Sequence, residues 1–322
     1  MPCKLFGRRA AAAPKTPCST ALFALLCLPF VLLSPLPAAG QDASQSKISV
    51  QTAGDAGALV QSVQVGRISV KAINDSPLVF DKSIFPAIDQ HPQRLSYMPG
   101  GRLEALVKTY FVETAGRKVL FDGGRSHEMG GEARTPAALA AIGVKPEDVT
   151  DIFMTHLDED HISGLAVGDK AVYPNAVLHI AAVEHDAWLH DMDREPAFIA
   201  LAKRVLKAYA GRVQTFEYGD EAVPGIRPRA ARGHTFGHTR YDIDSEGEGM
   251  TIVGDLIHVA PLQMRWPEYC TVYDAHPTMA ARAREAVLAE AAARGRILAG
   301  MHIKEIGRIE KAPDGGYRFI GK

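Results

Sequence analysis

Cysteine is scarce in the 322 residues: there are four, and three of them (Cys3, Cys18 and Cys27) crowd the N-terminus, leaving only Cys270 beyond. A chain without its first forty residues can form no intramolecular disulfide and must rest on its core and any metals it binds. No stretch is strongly basic. The 36 Lys and Arg residues face 37 Asp and Glu residues. The first forty residues hold four of the basic ones and no acidic one, which leaves 32 against 37, a formal −5. A mildly acidic chain without a basic run argues against nucleic acid as a partner. No apolar run reaches the roughly 20 residues a membrane-spanning helix needs; Ala21 to Leu33 falls short. No internal repeat and no second domain are visible, and about 280 residues suffice for one large core.

The N-terminal run has its own reading. Lys4, Arg8, Arg9 and Lys15 precede the apolar Ala21–Leu33, and Ala38-Ala39-Gly40 offers small residues for cleavage. This pattern predicts a secretory signal peptide over residues 1–40, a periplasmic or secreted protein, and no membrane attachment after cleavage. Gln41 to Ala58 is polar, small and aperiodic and reads as a disordered linker. Residues 59–322 form the expected domain.

Within that domain strands and helices intermingle. Ser62 to Ile73 alternates about Gly66, and Asn74 to Gly101 reads as loop, with Pro77, Pro86, Pro92 and Pro99. Leu103–Glu113 and Lys118–Phe121 flank a hairpin signature. Pro136–Ile142, with Thr135 as N-cap, reads as a helix, as do Val183–Leu189, Phe198–Tyr209 and Thr278–Ala293. Val149–Met154, Ala176–Ile180, Arg212–Phe216 and Gly225–Ala230 read as strands; Arg240–Ile243 with Met250–Ile257, and Ile306–Phe319, read as hairpins. Strands in hairpins mixed with helices suggest two packed sheets with helices outside, an α+β architecture.

The chemistry concentrates at Thr155-His156-Leu157-Asp158-Glu159-Asp160-His161, where the Val149–Met154 strand opens into a loop. His156, Asp158, Asp160 and His161 can all bind a divalent metal. Later, Gly233-His234-Thr235-Phe236-Gly237-His238-Thr239 follows, Ile252-Val253-Gly254-Asp255 ends one apolar strand, and Ile297-Leu298-Ala299-Gly300-Met301-His302 ends another. Each puts a His or Asp at the end of a structured run, as a shared metal site requires.

These four motifs in this order resemble the metallo-β-lactamase superfamily, with its HxHxDH and GHTxGH signatures, then a strand-end Asp and a strand-end His. Within it the chain is most similar to the methyl parathion hydrolase group, from about Gly66 to Phe319. The resemblance implies a four-layer αββα sandwich. It implies one metal on His156, Asp158 and His234, a second on Asp160, His161 and His302, and Asp255 bridging them, with Asp160 orienting the nucleophile. It implies that Asp122 supports the metal site from behind a ligating imidazole, against the alternative that it only caps a turn. His238 is expected as a buried support rather than a ligand, and strand alternation sends His258, three residues past Asp255, to the opposite face. Trp188, Phe198 and Ile199 fall where the group lines its pocket with aromatic residues, although all three also suit helix packing. Near Glu128 the group has an apolar residue, so a more polar pocket is expected here.

The resemblance implies a small-molecule substrate and a hydrolase: a lactonase or esterase with phosphotriesterase side activity. The bridging Asp255 argues against a dedicated β-lactamase. A homodimer is one assembly open to it. One position departs from the pattern: Asp158 stands where the family has a histidine. Two divalent metals are expected, zinc by resemblance, with manganese or iron favoured by the harder ligand set. An alternative is that Asp158 points away and leaves the first site degraded. The same departure motivates a reading from another class, an iron-dependent redox enzyme or a non-catalytic binding protein on this fold.

Overall fold

The computed structural model describes residues 59–190 and 195–321. The expected signal peptide and linker lie outside these residues. Among the described residues no helix is long and apolar enough to cross a membrane.

Two sheets form the centre. The first runs in the order β1 (Val60–Val65), β2 (Ile68–Asp81), β3 (Arg102–Thr114), β4 (Arg117–Phe121), β5 (Asp151–Phe153), then β8 (Val177–Ala181) and β9 (Val213–Phe216). A two-stranded ribbon, β6 (Ala166–Val167) with β7 (Lys170–Ala171), lies between in sequence. The second sheet is β10 (Ile226–Ala230), β11 (Thr239–Ser245), β12 (Glu248–Ile252), β13 (Ile297–Ala299), β14 (Gly307–Lys311) and β15 (Tyr317–Phe319), in that order. Among the described residues six α-helices join them: α1 (Thr135–Ala141), α2 (Glu159–Ile162), α3 (Ala182–His190), α4 (Pro196–Ala208), α5 (Ala260–Gln263) and α6 (Pro277–Arg294).

Three cores show how the layers stack. Between the sheets, Val70, Tyr110, Val112, Phe121 and Phe153 meet Ile226, Tyr241, Ile243, Ile252 and Ile297. Outside the first sheet, Ile152, Leu178 and Ile180 pack on Leu139, Trp188, Leu201 and Val205 of α1, α3 and α4. Outside the second, Leu298 and Ile309 pack on Val287, Leu288 and Ala291 of α6. The central strands β5 and β13 thus bury both faces, one against the other sheet and one against helices. That is the αββα sandwich.

Three local readings need correction. The loop expected from Asn74 begins instead as a continuation of β2, which runs to Asp81 through a bulge between Asn74 and Ser76. Pro77 is tolerated because β1 stops pairing at Ile73, so beyond it β2 is an edge strand with no donor missed on that side. Thr135 is the first helical residue rather than the cap; its hydroxyl donates to Asp75 Oδ1 at 2.6 Å. β12 ends at Ile252, where a 3₁₀ turn over Gly254–Leu256 replaces the expected strand. The turn joining β11 to β12 is the pair Glu246-Gly247, both left-handed, as a two-residue hairpin requires.

The parallel pairings matter for function. β4 runs parallel to β5, and β12 parallel to β13, while most other neighbours are antiparallel. Parallel neighbours end on the same side, so the residues just past β4, β5, β12 and β13 all gather at one edge of the sandwich.

At the opposite end of β5, Asp151 is buried, takes hydrogen bonds from Arg117 and Thr150, and lies 2.9 Å from His179 Nε2. Burial alone would raise this carboxyl, but the bonds from His179, Arg117 and Thr150 outweigh it and bring it down to about 2. A depressed carboxylate stabilises the fold above its ordinary value, and the gain disappears as pH falls through the folded value. Asp151→Asn should therefore cost about 1–2 kcal/mol at pH 7, Arg117 being half exposed. The deficit relative to wild type should shrink between about pH 4 and pH 2 in chemical denaturation. A deficit independent of pH would contradict it.

Candidate metal centre

The histidines and carboxylates of the four motifs stand on the loops and turns that follow strand ends, or on the short helix α2. After β5 the chain runs buried through Met154, Thr155, His156 and Leu157, and Asp158 opens α2. Asp122 follows β4 in a left-handed conformation, φ +57°. Its Oδ1 accepts from Thr155 N at 2.7 Å, and its Oδ2 accepts from Thr155 Oγ1 at 2.7 Å. The same Oδ2 lies 2.7 Å from His161 Nδ1. Asp122 therefore holds the imidazole of His161 from behind and fixes which nitrogen faces the cavity. The two loops approach closely enough to require glycine: a Cβ on Gly164 would sit 2.1 Å from Gly123 O.

His234 sits in the loop between β10 and β11. Its Nδ1 lies 3.3 Å from Asp274 Oδ1, and Asp274 in turn pairs with the fully buried Arg284 at 3.3 Å. His302, beyond β13, directs Nδ1 to Leu106 O at 2.9 Å. In each case one ring nitrogen is engaged by the protein and the other is aimed inward.

The inward atoms converge on Asp255. From its Oδ2, the Nε2 atoms of His302, His161, His156 and His234 lie 2.9, 3.3, 3.8 and 3.8 Å away. Asp158 Oδ2 is 3.2 Å from His234 Nε2 and 3.6 Å from His156 Nε2. Asp160 stands on the other side, 3.6 Å from His161 Nε2 and 3.5 Å from His302 Nε2. Asp158 thus faces the cluster. Candidate ligand atoms lie within 4.8 Å of one another in the set His156, Asp158 and His234, and in the set Asp160, His161 and His302. A third such set is His156, His161 and Asp255.

The donors fit divalent cations. His156 Nε2, His161 Nε2 and Asp255 Oδ1 are buried with no hydrogen-bond partner among the described residues. Three buried polar atoms left this way would each cost of order 1–3 kcal/mol, a cost that a bound cation removes. Nitrogen and carboxylate donors in this mixture suit first-row transition metals.

His238 makes no part of these sets. Its Nδ1 meets Ala231 O at 2.9 Å and its Nε2 accepts from Asp255 N at 3.0 Å. Burial pushes it down to about 3, so it is a neutral imidazole that positions the Asp255 backbone.

His258 overturns the alternation argument. Its Nε2 lies 3.4 Å from Asp255 Oδ2, and His234, Asp255 and His258 make a fourth convergent set. Alternation applies only inside a strand. Here Gly254 takes φ +56° and a 3₁₀ turn over Gly254–Leu256 ends the strand before His258, so the two-residue period does not carry through to it.

A cavity of about 360 Å³ opens over the cluster, lined by Asp158, Asp160, His234, Asp255 and His302 below and by Leu78, Phe80, Trp188, Phe198 and Tyr273 around. Trp188 and Phe198 stand on the wall, but Ile199 does not. Successive helical residues are turned about 100° apart, so Phe198 and Ile199 cannot share a face. Trp188 also belongs to the packing core and donates Nε1 to Glu184 at 2.8 Å. Glu128 pairs with Arg204 at 2.7 Å away from the cavity, so the wall's added polarity comes from Arg125 and Glu159, paired at 3.1 Å.

Glu184, which the sequence pattern left inside an ordinary helix, is the residue that ties the two histidine motifs together. It is buried; Oε1 accepts from Leu157 N at 3.2 Å, and Oε2 accepts from Thr235 Oγ1 at 2.7 Å and Gly237 N at 2.9 Å. A charged residue four before a tryptophan on a packed helix was the only hint of it.

Known proteins bear on this site. N-acyl homoserine lactonase of Bacillus cereus is 25% identical over 186 residues, 52% of this chain and 69% of that protein. The solved hydrolase AbOPH is similar with TM-score 0.73 and 25% identity, covering 81% of this chain and 96% of its own. AidC, described as a dizinc quorum-quenching lactonase, shares the fold with TM-score 0.74 at 22% identity, covering 82% of this chain and 97% of its own. The model of the metallo-β-lactamase superfamily matches residues 104–302, the span from β3 to the final histidine. The chain belongs to the metallo-β-lactamase superfamily, and its chemistry is that of a metal-dependent hydrolase.

Proposed function

We propose that this protein hydrolyses a lactone or a carboxylic ester of a small molecule, with phosphotriester hydrolysis as a side activity, in the manner of the methyl parathion hydrolase group. The observation that supports it is the set of four motif imidazoles within 3.8 Å of one carboxylate oxygen, Asp255 Oδ2, at the floor of an open cavity. His156, Asp158 and His234 would hold one divalent ion, Asp160, His161 and His302 the other, with Asp255 between. Two such ions, when bound, supply hydroxide near neutral pH and polarise the substrate oxygen.

The chain's own groups do the rest. Asp160, next to His161 and on the cavity wall, accepts a hydrogen bond from the attacking hydroxide and so fixes its direction. Leu78, Phe80, Trp188 and Phe198 give the acyl portion an apolar wall and exclude water from it. Arg125, Glu159 and Tyr273 provide the few polar contacts that orient a ring ester or amide. The resemblance to lactonases of Bacillus supports the lactone choice over the phosphotriester.

Asp158 makes the site richer in oxygen than the HxHxDH motif it resembles. Three carboxylates among the donors favour manganese or iron over zinc. Protein purified without added metal should carry manganese or iron; two tightly held zinc ions would refute that preference. The activity is tested on metal-loaded protein with acyl-homoserine lactones, aryl esters and phosphotriesters. Lactone or ester turnover that a chelator removes and added metal restores is the expected result. Silence on all three classes defeats the reading.

A further inference from the structure

We propose that His258 is a metal-binding imidazole, supplying at the first metal position the nitrogen that Asp158 does not. The assignment rests on the two-metal reading above and adds a ligand to it.

Four observations carry it. First, His258 Nε2 points into the cluster, 3.4 Å from Asp255 Oδ2, and its ligand atom lies within 4.8 Å of those of His234 and Asp255. That is beyond the 2.7–3.2 Å expected of a good N–H···O bond, so the contact with Asp255 is a long one that leaves Nε2 room to bind a cation. Second, His258 is buried, and its Nδ1 has no hydrogen-bond partner among the described residues. An imidazole serving only as packing would be a costly choice there, because its Nδ1 is withdrawn from water without a replacement.

Third, the ring is held in place. Phe80 meets it edge-on with centroids 5.5 Å apart, and the His302 ring lies nearly parallel at 5.4 Å. The backbone beneath it is pinned by a fully buried Gln263, whose Oε1 accepts from His258 N at 2.7 Å and Val259 N at 3.0 Å, while its Nε2 donates to Tyr269 O at 3.0 Å. A buried amide committed to two adjacent backbone N–H groups fixes the backbone from which His258 projects, and Phe80 and His302 hold its ring.

Fourth, the donor count at the two positions is uneven without it. The set around Asp158 has two nitrogens, His156 and His234, on a position that in the resembled motif has three. His258 shares its convergent set with His234 and Asp255, not with Asp160 and His161, which places it on the Asp158 side. The missing imidazole thus returns from the loop after β12 instead of from the first motif.

The test uses full-length protein stripped of metal and reloaded with cobalt(II) or manganese(II). Metal per chain, the chelator concentration for half-removal and the cobalt(II) visible spectrum are measured for wild type, His258→Ala and His258→Asn. Both variants should keep a folded transition. They should release one of the two ions at a chelator concentration at least about 10-fold lower than wild type, with a changed cobalt spectrum. Asp158→His placed in the His258→Ala background should restore the retention. Variants that hold two ions as tightly as wild type, with the same spectrum, overturn the assignment while leaving the two-metal reading intact. Wild type that takes up no metal overturns the two-metal reading, and the assignment with it.

Discussion

Asp255→Ala should strip the protein of bound metal and lower hydrolysis by on the order of 10³-fold or more. The carboxylate occupies the centre of the site. Its Oδ2 lies 2.9 Å from His302 Nε2, 3.3 Å from His161 Nε2 and 3.4 Å from His258 Nε2. Truncation leaves these imidazoles crowded about a void without the negative charge that lets cations approach together. Asp255→Asn keeps the shape and one oxygen but not the charge, and should fall between Ala and wild type in metal retention. The measurements are metal per chain and kcat/KM on whichever lactone or ester is turned over, with circular dichroism as the control for folding. An Asp255→Ala protein that keeps both ions and turns over at the wild-type rate would remove Asp255 from the machinery.

Glu184→Ala should be the most destabilising single truncation near the site, about 4 kcal/mol. The carboxylate accepts from Leu157 N, Trp188 Nε1, Thr235 Oγ1 and Gly237 N, all buried. Losing it leaves four buried donors for which water has little room. The fit is tight: a Cβ on Gly237 would lie 2.3 Å from Glu184 N. The same change frees the loops of His156 and His234 to move apart, so activity should fall along with stability. Glu184→Gln keeps one acceptor oxygen and should cost less than half as much. Equilibrium unfolding in urea, together with metal retention, separates the two effects. A truncation that costs under about 1 kcal/mol would mean that water replaces the carboxylate.

The layered architecture was legible because burial on both faces writes continuous apolar runs such as Ile152-Phe153-Met154 and Ile297–Ala299, and the hairpins declare themselves by turn residues such as Glu246-Gly247. The ligand candidates were legible because histidine and aspartate cluster at strand ends. Legibility failed where the backbone departs from regular periods. The alternation drawn through Gly254 misplaced His258, and the prolines after Asn74 hid the second half of β2, which tolerates Pro77 only because β1 has ended. Phe198 and Ile199 could not be told apart without the phase of α4.

The amino-acid sequence by itself determined the family of the fold, the motif residues His156, Asp158, Asp160, His161, His234, Asp255 and His302, and the departure at Asp158. These are local properties: a residue type at a strand end, or a period of apolar side chains. Tertiary structure alone decided that Asp158 faces inward, that Asp122 and Asp274 stand behind His161 and His234, that Glu184 joins two loops, and that His258 enters from a fourth side. Each of those depends on which strands run parallel and on the exact turn that ends them. A one-dimensional chain does not record which residues distant in sequence will finish at the same edge of two sheets.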